Sequence, residues 1–143
     1  MSYDLKIISG DFSIENGDLK KVTDSEKLIQ DILKICLTTA GSNKFNPWYG
    51  SFLSRTIIGS PMDMPMIVQI SKSQLNSSLD NLKTLQELQV KSFQYVSQDE
   101  LLAGILNISI LRNENDPRLF DILIKAATKG LKPLTTAFTV STI

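Results

Sequence analysis

The chain predicts an α+β domain, with small antiparallel hairpins packed on two main helices and a strand-rich C-terminal extension. Three observations carry this. Apolar residues recur at helical 3-4 spacing between Thr23 and Leu85. The period changes to two on either side of that stretch. Strong turn signals, Asn16-Gly17 and Asp116-Pro117, interrupt the alternating segments. At 143 residues the length suits one domain, with a body over 1–112 and the extension over 117–143.

Residues 3–22 read as strands. Phe12 and Ile14 alternate with polar neighbours, Asn16-Gly17 turns the chain, and Leu19 to Val22 returns. Leu5 to Ile8, closed by Ser9-Gly10, forms either a further short strand or an N-terminal arm. No internal repeat or low-complexity tract is expected. Thr23 and Glu26 have capping-box spacing and open a helix whose apolar face is Leu28, Ile29, Ile32, Leu33, Ile35 and Cys36. That helix ends near Thr39, before Gly41.

The segment from Thr38 to Ser51 contains Gly41, Pro47 and Gly50, which exclude a helix interior or a central strand. Yet Phe45, Trp48, Tyr49 and Phe52 crowd into and just beyond it. Rings on an irregular segment either form a local core beneath the loop or await a partner, and both can hold. A short helix from Phe52 to Ile58, stopped by Gly59, follows. Ser60-Pro61 is a connector, and Asp63 is the N-cap of a long helix to about Leu85. Met64, Val68, Ser71, Leu75, Leu79 and Leu82 share one face of it. Met62, Met64 and Met66 are read as adaptable core filler.

From Leu88 the period is two: Val90, Ser92, Gln94 and Val96 alternate with Gln89, Lys91, Phe93 and Tyr95. Ser97 to Glu100 then turns into an apolar strand, Leu102 to Leu111, and the two are expected to pair as an antiparallel hairpin on the helices. Asn113 to Pro117 is the one plausible boundary. Beyond it, Leu119 to Ala127 is helix or strand, with the spacing of Phe120, Ile122, Ile124 and Ala126 favouring strand. Leu134, Thr136, Phe138 and Val140 alternate with polar or small residues in a clean half-buried strand.

Composition excludes much chemistry. There is no histidine, so histidine-based triads, metal ligands and general bases are impossible; the single cysteine, Cys36, rules out an internal disulfide and a multi-thiolate zinc site. Cys36 is expected to be a small buried hydrophobe. Fifteen basic residues balance fifteen acidic ones without a run of like charge, so nucleic acid and anionic membranes are not expected partners. No apolar run approaches the ~20 residues of a membrane span, and Met1-Ser2-Tyr3-Asp4 lacks a signal pattern. The acidic residues have structural explanations: Glu26 and Asp63 as caps, Asp18 and Asp99 in turns, Asp31 on a solvated helix face. Phosphate-cradling glycine clusters are missing, and no cofactor is expected.

Leu37-Thr38-Thr39, Gly41-Ser42, Phe45-Asn46-Pro47-Trp48-Tyr49-Gly50 and the short helix ending Ile57-Ile58-Gly59 together resemble the small baseplate wedge, or sheath-initiator, protein of contractile-tailed phages. That family extends to type VI secretion and related contractile injection systems, and some members are labelled lysozyme. The resemblance covers approximately residues 4–112, and its specific core is Gly-Ser…Phe-x-Pro-x-x-Gly. It implies a structural, non-enzymatic subunit present in several copies in a virion tail baseplate assembled in the host cytoplasm, with other wedge proteins and the tail sheath protein as partners. A peptidoglycan-cleaving, lysozyme-like baseplate enzyme is the alternative. Phe45, Pro47, Trp48, Tyr49, Gly50 and Phe52 are then candidates for partner binding or loop anchoring. Leu134, Thr136, Phe138 and Val140 are the candidate sheath-contact strand, since no charge lies between Leu134 and Ile143 to protect its edge. The Glu-Pro-Arg triplet that family members carry at the end of the long helix is absent between Asn81 and Leu88, where the family associates it with docking on the wedge.

Overall fold

A computed structural model describes residues 2–57 and 63–141, and the expected Gly59 helix stop, the Ser60-Pro61 connector, Met62 and the last two residues lie outside them. Among these residues the architecture is α+β as expected, with three α-helices, small N-terminal β-pairs and a three-stranded C-terminal sheet.

The N-terminal strands overturn the expectation that no repeat is present. Asp4-Leu5-Lys6-Ile7-Ile8-Ser9-Gly10, Asp11-Phe12-Ser13-Ile14-Glu15-Asn16-Gly17 and Asp18-Leu19-Lys20-Lys21-Val22-Thr23-Asp24 are three successive copies of one unit. Each copy contributes two two-residue strands: β1 (Asp4–Leu5) and β2 (Ile7–Ile8), β3 (Asp11–Phe12) and β4 (Ile14–Glu15), β5 (Asp18–Leu19) and β6 (Lys21–Val22). Ile7 pairs with Phe12, Ile14 with Leu19, and Lys21 closes back on Leu5. The central residues bond in a cycle: Ser13 N–H donates to Lys6 O (3.0 Å), Lys20 N–H to Ser13 O (2.8 Å), and Lys6 N–H to Lys20 O (2.8 Å). The result is a closed triangle of pseudo-threefold symmetry. Its first two corners are Ser9-Gly10 and Asn16-Gly17, all at positive φ between 52° and 82°, as a tight two-residue hairpin turn requires. At the third corner the chain leaves the ring: Thr23 is extended and Asp24, at φ 53°, opens α1.

Helix α1 (Asp24–Leu37) has its expected apolar face, with Leu28, Ile32, Ile35 and Cys36 buried. The expected caps are corrected. Neither Thr23 nor Asp63 makes a side-chain cap bond, whereas a reciprocal capping box forms at Ser97 and Glu100 in the 3₁₀ turn Gln98–Glu100. Asp31 is also less solvated than expected, since its side chain is 15% exposed and salt-bridged to Lys27 and Lys34. Helix α2 is Leu53–Ile57 and α3 is Met64–Lys91.

Helix α3 runs past Leu85, and the expected strand over 88–96 does not form. The reason is that helical spacing continues from Leu82 to Gln86, both buried. Gln86 stays inside because its amide is matched: Nε2 donates to Glu100 O (2.9 Å), and Leu102 N–H donates to Oε1 (2.8 Å). Phe93 and Tyr95, beyond the helix, are exposed.

The hairpin partner of β7 (Leu102–Arg112) is therefore β8 (Leu119–Thr128), and Asn113 to Pro117, expected as a boundary, is the loop of that hairpin. Asn113 Oδ1 holds the loop by accepting the N–H groups of Asn115 and Asp116. Strand β9 (Pro133–Ser141) pairs with the other side of β8, giving an antiparallel sheet in the order β7-β8-β9. The strand-rich segment after Asp116 is thus as expected in secondary structure, but its β8 is the central strand of the body's sheet and β9 an edge strand. Phe120, Ile122, Ile124 and Ala126 of β8 are all within 1% of full burial, in one core with Leu28, Ile32, Leu75 and Leu79 of the helices.

Candidate partner-binding surfaces

The aromatic loop is fastened at its base by backbone. Ala40 N–H donates to Ser51 O (3.0 Å), Ser51 N–H to Thr38 O (2.8 Å), and Gly41 N–H to Pro47 O (2.9 Å). Ser51 Oγ donates to Cys36 O (2.6 Å), tying the loop's end to α1, and Ser78 Oγ of α3 donates to Gly50 O (2.9 Å). Gly50 has φ +114°, and a Cβ there would lie 2.5 Å from Thr38 O, so no other residue fits without moving the clamp. Inside the loop, Asn43 Oδ1 accepts the N–H groups of Phe45 and Asn46.

On this fastened frame the rings divide. Tyr49 packs on the core beside α1, and burial pushes its hydroxyl pKa up. Trp48 meets the Tyr49 ring edge-on at 6.3 Å but remains 45% exposed, as does Phe52, which lies under the Arg55 guanidinium. Phe45 is 94% exposed. The loop is thus anchored by Tyr49 and its backbone clamp, while Phe45, Trp48 and Phe52 form a surface. A ring as exposed as Trp48 does not carry the ~3–5 kcal/mol of a fully buried aromatic.

Of the second candidate set, Leu134 and Thr136 are buried, and Phe138 and Val140 pack on the core from partly buried positions. Their side chains face inward; what β9 presents outward is its main chain and Thr135, Ala137 and Thr139. The two sheet edges differ. Strand β7 carries register irregularities between Leu102 and Gly104 and between Ile105 and Asn107, whereas the β8–β9 register is continuous from Leu119–Ser141 to Ala127–Pro133. Bulges disfavour further pairing, and β9 has neither bulge nor charge.

Three carboxylates whose bonds shift their titration are engaged structurally. Partial burial pushes the Asp4 pKa up, but hydrogen bonds from Lys34, Gln30 and the Leu5 N–H outweigh it and hold it below the usual range. Glu100 is likewise pushed up by burial and brought down further by the Ser2 hydroxyl (2.6 Å) and the Ser97 N–H. Asp116 is lowered by its bonds to Arg118. Burial pushes the Cys36 thiol to about 12, which leaves it inert. Among the described residues, no group of three or more metal-ligating side chains converges, and no helix is long and apolar enough to cross a membrane.

Sequence reasoning missed the polar residues that hold these parts together. Gln30 joins the triangle to α1 by donating to Leu5 O (2.8 Å) and accepting the Ile7 N–H (3.0 Å). The available signal was a polar residue set among apolar positions of a helix, as with Gln30, Ser78 and Gln86.

No family model matches the chain, and no curated protein matches it either. Among solved structures, a protein of Geobacter sulfurreducens named "putative tail lysozyme" shares the fold, with a TM-score of 0.58 over 81% of this chain and 88% of that one, at 12% sequence identity. At that identity the likeness is one of fold.

Proposed function

We propose that this protein is a structural subunit of a contractile tail baseplate, docking on the wedge through its helical body and aromatic loop and offering a sheet edge from which sheath assembly starts. The observation that carries this reading is the regular and uncharged β9, whose outer side pairs with no other strand among the described residues, beside a backbone-fastened loop that exposes Phe45, Trp48 and Phe52. Strand addition at such an edge uses main-chain hydrogen bonds and depends little on side chains, which suits a contact repeated along a sheath. The tail-related name of the structural neighbour and the resemblance of the Gly41 to Gly50 motif agree with a tail role. Its partners would be wedge and sheath proteins, in several copies, within the virion tail.

The lysozyme reading follows from the neighbour's name, but glycoside hydrolysis needs a general acid with a raised pKa. Asp4, Glu100 and Asp116, the carboxylates with a resolved shift, all move down.

Sheath polymerisation from assembled baseplates tests the proposal. Thr135→Lys with Ala137→Lys places charge beside the β9 edge at exposed positions and should block polymerisation while leaving the thermal midpoint nearly unchanged. Unimpaired polymerisation contradicts the strand-addition role. Cell-wall hydrolysis lost on changing one particular Asp or Glu would establish the enzyme instead.

A further inference from the structure

The N-terminal triangle turns one apolar face away from the rest of the chain. Side chains alternate along its sides, and the pairings of Ile7 with Phe12, Ile14 with Leu19 and Lys21 with Leu5 keep one alternation phase together around the ring. That phase holds Leu5, Ile7, Phe12, Ile14, Leu19 and a single charge, Lys21. None of the five apolar residues joins the core built on Leu28, Ile32 and Leu75, and Ile14 is 71% exposed. The ring's carboxylates, Asp4, Asp11, Glu15 and Asp18, fall in the other phase. The Lys21 ammonium accordingly lies over the Tyr3 ring, at 4.2 Å.

The apolar surface continues past the triangle. Ile7 also lines a cleft of about 460 Å³ beside α1, together with Leu33 and Leu37. Those two leucines are one turn apart and off the stripe of α1 that meets the core; Leu37 is 56% exposed. A concave end beside an exposed apolar face suits a partner that inserts one large side chain and lays others flat.

Size and charge narrow the occupant. Five half-exposed side chains of this kind present a few hundred Å², against the roughly 800 Å² that each partner buries in a stable dimer. A second copy is therefore a poor match, and a single short element is a good one. Strand addition is unavailable, because each side of the triangle offers only two-residue strands. Side chains must do the holding, as when an amphipathic helix docks in a groove. A lone cation on the face, with no carboxylate in its phase, calls for an acidic residue on the partner.

We infer that this face and its cleft bind an amphipathic helix of a partner protein, with an acidic residue of that helix beside Lys21. The inference stands on the triangle alone and does not depend on the baseplate reading.

The test is an NMR titration of the isotopically labelled full chain at constant ionic strength. The probe is a synthetic alanine-based peptide of about 18 residues, long enough to hold a helix in water. It carries leucines at 3-4 spacing with one glutamate beside them, and a second peptide has lysine in place of that glutamate. Saturable shifts are expected at the amides of residues 5–19 and 33–37. The expected Kd is on the order of 100 micromolar for the glutamate peptide, with the lysine peptide about tenfold weaker. Lys21→Glu should reverse that preference. Ile14→Lys should weaken binding about tenfold, the factor for one lost aliphatic contact, whereas Ile8→Lys, in the other phase, should not. If Ile14→Lys does not fold, the Lys21→Glu reversal decides. Absent shifts at those amides, equal losses from Ile8→Lys and Ile14→Lys, or a preference unchanged by Lys21→Glu overturns the site. Dimerisation in sedimentation that Ile14→Lys abolishes would give the face to a second copy, and flotation with anionic vesicles that it abolishes would give it to a membrane. Either result overturns the helix assignment.

Discussion

The two β regions of this molecule solve the same problem in opposite ways. The N-terminal triangle is made of two-residue strands and buries little of its own, leaving Ile7, Phe12, Ile14 and Leu19 between 41% and 71% exposed. It holds together because its three units close on one another through a cycle of backbone bonds. The C-terminal sheet has strands of 9 to 11 residues and one face in the core, and among the described residues no further strand pairs with its outer edges. Closure removes edges but limits burial; long strands bury a core but must cover, kink or use their edges. Only the second solution offers a template for another chain.

The largest expected effect separates the regions by burial. Phe120→Ala, at 1% exposure in the central strand, should cost about 3–5 kcal/mol in denaturant unfolding. Phe12→Ala, at 54% exposure in the triangle, should cost less than about 1 kcal/mol. Comparable losses would mean that the triangle contributes to the core. For the same reason, deleting residues 117–143 should unfold the body rather than leave it intact, since it removes the central strand.

A smaller effect tests closure. Gly17→Ala forces a side chain into φ +82° with open space around it, so strain alone should cost about 1–2 kcal/mol. Hydrogen exchange should then quicken at residues 4–22 and not in β7–β9. Uniform quickening would show that the ring does not open on its own.

Much of this organisation was legible. Asn16-Gly17 gave its hairpin turn, the Leu28 to Cys36 face gave α1, and the alternation through Phe120 and Leu134 gave β8 and β9. The repeat was obscured because its third copy replaces Ile with Lys21 and the corner glycine with Asp24, where the chain must enter a helix. Val90 to Val96 imitated a strand because period two over a few residues carries no information about what Gln86 bonds to. Pairing was the hardest part: β7 had two possible neighbours, and the choice of β8 rests on long-range burial that local spacing does not record. In the loop, the rings were visible, but which of them faces inward is set by Ser51 and Ser78, whose roles appear only in three dimensions.

The smallest effect concerns the junction between triangle and helix. Asp4 has a folded pKa below its ordinary 3.8, so the stability it contributes is complete above that value and is lost as pH falls through the lower folded value. Asp4→Asn should flatten the fall in melting temperature below about pH 4. An unchanged acid profile would remove Asp4 from the linkage.

The central claim is that β9 is an edge used by another chain, and a density map of an assembled tail end tests it most directly. The account predicts this protein at the baseplate, with a strand from a sheath subunit hydrogen-bonded along residues 134–140 of β9. The protein in place with that edge solvent-exposed would contradict strand addition, and its absence from the particle would contradict the structural role altogether.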